Sequence, residues 1–385
     1  MSRMRLSRWL AFVLILFVTP LGAAEPFQFR DVGESSGVRA ALKNMQGHAA
    51  TWGDVNGDGL LDLYVGNFHK DGTEPNRLLI QDAGKFVPGD QAALRVSARS
   101  SGAVLVDLDN DGDADLYLSN LGGGKSGHSA TGNKLFRNDG QGKFSDLSEA
   151  SSACPSDFRG RSVAAVDFDG DGRLDLLVGE SLAYGSAKRT RLYRNLGDLK
   201  FKDITDEIGL PALPALGVAV GDVNNDHWPD LLLIAAEGSN RLFLSEQGRR
   251  VREAAEVSKL LQAAWKYGSG DDTTCGACLA DVNRDGLLDI VQGHHFERPW
   301  LEPVPVRMYL NRGITDGLPK FTDVTETAGL TALPMKGPHL EVQDFDNDGW
   351  PDLYVSIVTF SQGVARPLIF KNQGLSTGEL TFRQT

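Results

Sequence analysis

Apolar runs of four to six residues, bounded by glycine, asparagine or charged side chains, recur along most of the chain. Runs this short with turn residues at both ends read as buried strands, because a helix needs about ten or more residues with a 3.6 period. Residues 102–106, 162–166 and 217–221 each lead into an acidic stretch, and residues 61–66, 114–119, 174–179 and 351–356 each leave one. A third run follows at 76–80, 133–137, 191–194, 240–244, 307–310 and 367–371. A fourth is marked by Lys143-Phe144, Lys200-Phe201, Lys320-Phe321 and Thr381-Phe382, generally after a glycine-containing turn. Four strands in a unit of about 58 residues make one propeller blade. The predicted fold class is all-β: a β-propeller of four-stranded blades with six visible repeats, six- or seven-bladed. One segment breaks the pattern. Residues 251–265 place Val257, Leu260, Leu261 and Ala264 on one face of a short amphipathic helix, expected to pack on the propeller rim.

The acidic stretches share one nine-residue pattern, Asp-x-Asp/Asn-x-Asp-Gly-x-x-Asp. Its side-chain oxygens at positions 1, 3, 5 and 9 are Asp54, Asn56, Asp58 and Asp62 in the first copy and Asp107, Asp109, Asp111 and Asp115 in the second. The third has Asp167, Asp169, Asp171 and Asp175, and the fourth Asp222, Asn224, Asp226 and Asp230. The fifth has Asp281, Asn283, Asp285 and Asp289, and the sixth Asp344, Asp346, Asp348 and Asp352. These groups can meet on one hard cation only where the backbone curls tightly, which accounts for glycine at position 6 in five of the six copies. The implied ion is Ca²⁺. Recurrence at spacings of 53, 60, 55, 59 and 63 residues removes chance as an explanation. An EF-hand would end in a Glu at position 12, where this chain has Val65, Leu118, Val178, Leu233, Gln292 and Val355. The loops are therefore expected to join strands. His227 replaces the glycine in the fourth copy, which makes that site the expected weakest.

Around the loops, Phe321-Thr-Asp-Val-Thr325 is followed by Ala328-Gly-Leu330, Phe201-Lys-Asp-Ile-Thr205 by Gly209-Leu210, and the third strand reads Asn240-Arg-Leu-Phe243. This unit resembles the FG-GAP or VCBS repeat of integrin α-subunit propellers and of secreted bacterial and cartilage-acidic-protein-like propellers. The resemblance covers essentially residues 27–385 and implies seven blades. The spacings leave no room for a seventh loop, residues 27–32 look like the fourth strand of a preceding unit, and the chain ends inside another fourth strand. Six blades or seven stays open at this point.

Arg3, Arg5 and Arg8 precede an apolar run at residues 9–18, and Gly22-Ala-Ala24 offers small residues before Glu25. The expectation is a cleaved signal peptide, residues 1–24, followed by one propeller domain, residues 25–385, secreted or periplasmic and without a membrane anchor after cleavage. Outside cells, loops of modest affinity, on the order of 10⁻⁴ to 10⁻³ M, stay occupied. Cleavage removes three arginines and no acid, taking the formal charge from −12 to −15, and six Ca²⁺ would bring it to about −3. The acidity thus belongs to the loops, and with no basic stripe nucleic acid is not an expected partner.

Cys154, Cys275 and Cys278 are the three cysteines. In an exported protein Cys275 and Cys278 suggest a local disulfide, with unpaired thiols, pairing to Cys154 or a redox role as alternatives. If the metal loop joins strands one and two, the connections from strand two to three and from strand four to the next blade share the opposite face. That face would carry His69, His294, His295 and Trp300, in loops rich in aromatic, basic and glycine residues. A transition-metal site on the histidines is a further alternative. The chain shows no His-Glu-x-x-His and no phosphate loop, residues 122–126 being too short for one. The expected function is a non-catalytic interaction or adhesion module binding a protein or carbohydrate on that face. The alternative is a propeller enzyme, a polysaccharide lyase or hydrolase, with its site on the same face.

Overall fold

The computed structural model describes residues 29–68, 74–121, 132–180, 189–235, 240–263, 276–358, 366–375 and 379–385. Within the unit Asp31–Thr385, six antiparallel sheets of four strands follow one another in sequence order. Blade 1 runs Gly47–Gly53, Asp62–Asn67, Arg77–Asp82 and Lys85–Pro88. Blade 2 runs Ser100–Val106, Asp115–Asn120, Lys134–Asn138 and Phe144–Asp146. Blade 3 begins with Gly160–Val166, blade 4 with Gly217–Gly221, blade 5 with Ala277–Ala280 and blade 6 with Leu340–Gln343. The fold is the expected all-β propeller, and it has six blades.

First strands of successive blades touch one another and so line the axis. Second strands are buried throughout in blades 1 to 5, as their continuous apolar runs require. Five apolar clusters join neighbouring blades; the cluster between blades 1 and 2 holds Val55, Tyr64, Leu78, Leu116, Leu118 and Phe136. The sixth contains Leu63, Val65 and Leu79 of blade 1 with Val38, Ala41, Leu42 and Met45 from the segment before it, and no residue of blade 6. Trp52 shows the consequence. Its counterparts Leu105, Ala165, Val220, Leu279 and Val342 all belong to inter-blade clusters, whereas Trp52 is 51% exposed.

Three sequence expectations change. Residues 29–32 form no strand: Ser36 N–H donates to Val32 O at 2.7 Å and Gly37 sits at φ 85°, so the chain turns instead of extending. Residues 251–253 belong to the fourth strand of blade 4, Arg250–Glu253, because the alternation of Arg, Val, Arg and Glu pairs with Arg241–Glu246. The helix is shorter, Ala255–Ala263; its Val257 and Leu261 pack between blades 4 and 5, as rim packing requires. Ala264 and Trp265 lie outside the described residues.

Candidate metal loops and ligand face

All six acidic loops connect the first and second strands of their blades and therefore share one face. Each folds by the same internal bonds. The position-1 carboxylate accepts the N–H of position 5 and of position 6, as Asp281 does from Asp285 at 3.0 Å and Gly286 at 2.9 Å. The position-5 carboxylate accepts from position 7, for example Leu287 to Asp285 at 3.0 Å. Positions 4 and 6 sit at positive φ in every copy, including Arg284 at 62° and His227 at 72°. His227 N–H still donates to Asp222 at 2.7 Å, so the fourth loop keeps the shared geometry without its glycine.

The position-9 aspartates are fully buried. Each accepts the N–H of position 2 on one oxygen and a third-strand N–H on the other; Asp289 takes Val282 at 3.0 Å and Asn311 at 2.8 Å. Burial pushes Asp115, Asp175, Asp230 and Asp289 up to about 7, with neighbouring loop carboxylates adding to the effect. A cation in the loop would act in the opposite direction. Among the described residues, carboxylate oxygens converge within 4.8 Å in three groups: Asp107, Asp109 and Asp115; Asp167, Asp169 and Asp171; Asp344, Asp346 and Asp348. The other three loops have Asn at position 3, hence fewer carboxylates. The set fits a hard divalent cation: its donors are oxygens, and among the described residues Oδ1 of Asp109, of Asp169 and of Asn224 is buried without a hydrogen-bond partner.

Neighbouring blades are clasped at these loops. Asn138 Nδ2 donates to Val55 O at 2.9 Å, Asn195 to Leu108 O at 2.6 Å, Asn311 to Val223 O at 2.9 Å and Asn372 to Val282 O at 2.9 Å. Ser245 occupies this place in blade 4. Gln81 occupies it in blade 1 and donates to Leu61 O of its own blade at 2.8 Å, so the asparagine clasp is not made where blade 1 faces blade 6.

The opposite face is irregular. In blades 1, 2 and 3 a bulge near the start of the first strand takes His48, Ser101 and Arg161 out of the ladder. His48 of blade 1 then meets Arg161 of blade 3, Nε2 to Nη1 at 3.0 Å, and His339 of blade 6, ring to ring at 5.8 Å. Contacts across non-neighbouring blades occur only near the axis, so these side chains mark the channel mouth. Phe68 stacks on His48 at 4.4 Å, and Arg99 and Arg161 lie 4.4 and 5.4 Å from its ring centre. The Arg161 contact makes His48 Nε2 an acceptor, leaving Nδ1 as donor to Ser101 O at 3.3 Å. Burial, reinforced by Arg161, pushes His48 down to about 3 and His339 to about 4. Burial with the charges of His295 and Lys336 takes His294 to about 3, and burial with Lys336 and Arg161 takes His295 to about 4.

Of the sequence-derived face residues, His294 is fully buried; among the described residues neither ring nitrogen has a hydrogen-bond partner. His295 adjoins the cluster through Lys336, Arg161 and His339. Trp300 is 54% exposed in the same blade 5 connection. His69 and Cys275 lie outside the described residues. The Cys278 thiol donates to Leu340 O at 3.1 Å and burial raises it to about 12. No histidine group among the described residues gathers three metal donors within 4.8 Å. His48, Arg99 and Arg161 escaped the sequence reading. Their signal was position: His48, Arg99 and Arg161 stand at or next to the start of a first strand.

The FG-GAP-like repeat model matches residues 54–118, 123–178, 182–233 and 222–291. The chain is 28% identical to cartilage acidic protein 1 of Mus musculus over 279 residues, which cover 69% of this chain and 40% of that protein. It is 26% identical to cartilage acidic protein 1 of Xenopus tropicalis over 335 residues, 80% of this chain and 47% of the other. To integrin alpha-V of Gallus gallus it is 28% identical over 249 residues, 59% and 23% of the two chains. The chain spans less than half the length of these curated relatives.

Proposed function

The chain belongs to the FG-GAP-like repeat family, and from that premise we propose that it is an exported, calcium-stabilised β-propeller acting as a non-catalytic interaction module. In this reading residues 1–24 are a cleaved signal and residues 25–385 the working domain. The six loops hold Ca²⁺ through the oxygens at positions 1, 3, 5 and 9, and a protein or glycan partner binds the opposite face. Likeness to cartilage acidic protein 1 and integrin α chains supports interaction over catalysis and an extracellular setting. Among the described residues, no helix is long and apolar enough to cross a membrane.

The observation that carries the proposal is the asymmetry of the two faces. One repeats a single oxygen-lined loop six times; the other gathers Arg99, Arg161, Phe68, His48 and His339 from four blades at the channel mouth. Such a mixture of cationic and aromatic groups suits partner recognition. The test is a screen of the mature protein against extracellular proteins and a glycan array, in parallel with Arg161→Glu. A ligand lost in the variant with little change in melting temperature supports the reading. A ligand kept by the variant puts the site elsewhere, and turnover of a polysaccharide would replace the module with an enzyme.

A further inference from the structure

The six loops fall into two kinds, and the difference extends beyond the loop itself. Position 3 is Asn56, Asn224 and Asn283 in loops 1, 4 and 5, but Asp109, Asp169 and Asp346 in loops 2, 3 and 6. The third-strand residue just before the one that bonds the position-9 aspartate changes in step. It is Ile80, Leu244 and Leu310 where position 3 is Asn, and Arg137, Arg194 and Lys371 where position 3 is Asp. All six repeats obey the pairing.

Geometry explains it. Arg137 Nε lies 3.0 Å from Asp109 Oδ2, and its Nη2 donates to Asp111 Oδ2 at 3.2 Å. Arg194 Nε lies 2.7 Å from Asp169 Oδ2. Lys371 pairs with Asp346 Oδ2 and lies 3.1 Å from Asp348 Oδ2. In the other kind, the asparagine supplies the donor itself: Asn56 Nδ2 to Asp58 Oδ2 at 3.0 Å, Asn224 to Asp226 at 3.0 Å and Asn283 to Asp285 at 2.9 Å. In loops 2 and 6, as in the asparagine loops, the position-5 Oδ2 is thus met by a nitrogen donor; in loop 3 the loop's own Arg173 takes that place on Asp171. Meanwhile Oδ1 of Asp109 and of Asp169 is buried without a hydrogen-bond partner among the described residues, as is Oδ1 of Asn224. Counting only positions 1, 3, 5 and 9 with the third-strand partner, three carboxylates, or four carboxylates with one cation, come to the same formal −3 for a doubly charged ion; Asp113 of loop 2, Arg173 of loop 3 and Arg284 of loop 5 stand outside that count.

We propose that Arg137, Arg194 and Lys371 are positioning residues of the metal loops, each holding Oδ2 of the position-3 aspartate so that Oδ1 faces the divalent cation. An Asp with its basic partner thereby replaces a single Asn: it offers one oxygen to the ion and stops the extra carboxylate from repelling position 5. The inference rests on the reading that the loops hold calcium, and it adds which residues outside the nine-residue pattern tune them.

The test uses the mature chain and its Arg137→Leu, Arg137→Lys, Asp109→Asn and Asp109→Asn/Arg137→Leu variants, read by equilibrium dialysis with radioactive calcium and by thermal unfolding with and without calcium. Arg137→Leu is expected to weaken one site about 10- to 100-fold and leave the others unchanged. The double variant, which rebuilds the pairing of loops 4 and 5, is expected to recover affinity to within about threefold, and Arg137→Lys to retain most of it. Arg137 is half exposed, so these variants should fold. Full affinity in Arg137→Leu, or a double variant as weak as the single one, overturns the proposal. A loss of melting temperature equal with and without calcium, with affinity intact, would mark a packing role only and also overturn it. No calcium on the unaltered protein would remove the metal reading itself, and this inference with it.

Discussion

One face of the propeller repeats one loop geometry six times, and the other is irregular from blade to blade. On the loop face, position 1 curls the backbone, position 9 ties it to the third strand, and an asparagine clasps four of the loops to the next blade. On the other face, bulges and long connections bring His48, Arg99, Arg161 and His339 together from unlike positions. The difference teaches where selection for stability ends and room for recognition begins. A repeated geometry answers a repeated physical problem, here the containment of one buried carboxylate beside two or three partly exposed ones in each blade. An unrepeated one is where the proposed partner site is placed.

If that contrast is right, removing calcium has the largest effect. Each independent site filled at about 100 times its dissociation constant contributes about 2.7 kcal/mol, so chelation should lower the melting temperature by on the order of 10 °C or more. Differential scanning calorimetry in calcium and in chelator reads it directly. Next come the clasps. Asn311→Ala strips a buried carbonyl, Val223 O, of its donor and should cost about 1–3 kcal/mol in denaturant unfolding. Gln81→Ala, on the unclasped side of blade 1, should stay within about 0.5 kcal/mol. Equal losses would break the distinction between the clasped interfaces and the place where blade 1 faces blade 6.

The opposite face should respond to acid. His48 is pushed down to about 3 in the folded chain, against about 6.5 when unfolded. The unfolded chain therefore binds the proton first, and stability held above pH 6.5 is lost progressively as pH falls toward 3. With calcium saturating, His48→Gln should shrink the drop in melting temperature between pH 7 and pH 5. An unchanged drop would move the acid sensitivity to other groups. Arg161→Gln is expected to change stability by no more than about 1 kcal/mol, paired with a clear loss of partner binding. A large loss of stability without loss of binding would make the mouth a structural feature after all.

The two faces also differed in how far the amino-acid sequence exposed them. Asp54 to Asp352 stand at fixed spacing because a fixed geometry requires them, so the loops, the strands on either side and the propeller were legible. Residues 29–32 misled because an alternation of apolar and polar residues cannot show the turn made at Ser36 and Gly37. Arg250–Glu253 hid as a strand because its alternating charges run straight into a helical period. The mouth was the least visible. His48 and Arg161 are separated by more than a hundred residues and are joined only because two first strands bulge where they line the axis. Arg137, Arg194 and Lys371 were present in the third strands, but their meaning appeared only once they were seen lying on Asp109, Asp169 and Asp346.

The most direct test of the central claim is native mass spectrometry of the protein purified in calcium, counting bound ions before and after chelation. Six Ca²⁺ per chain, removed together with the thermal stability, is the result expected from six loops that share one backbone geometry. A chain that carries no calcium and unfolds at the same temperature in chelator would contradict it.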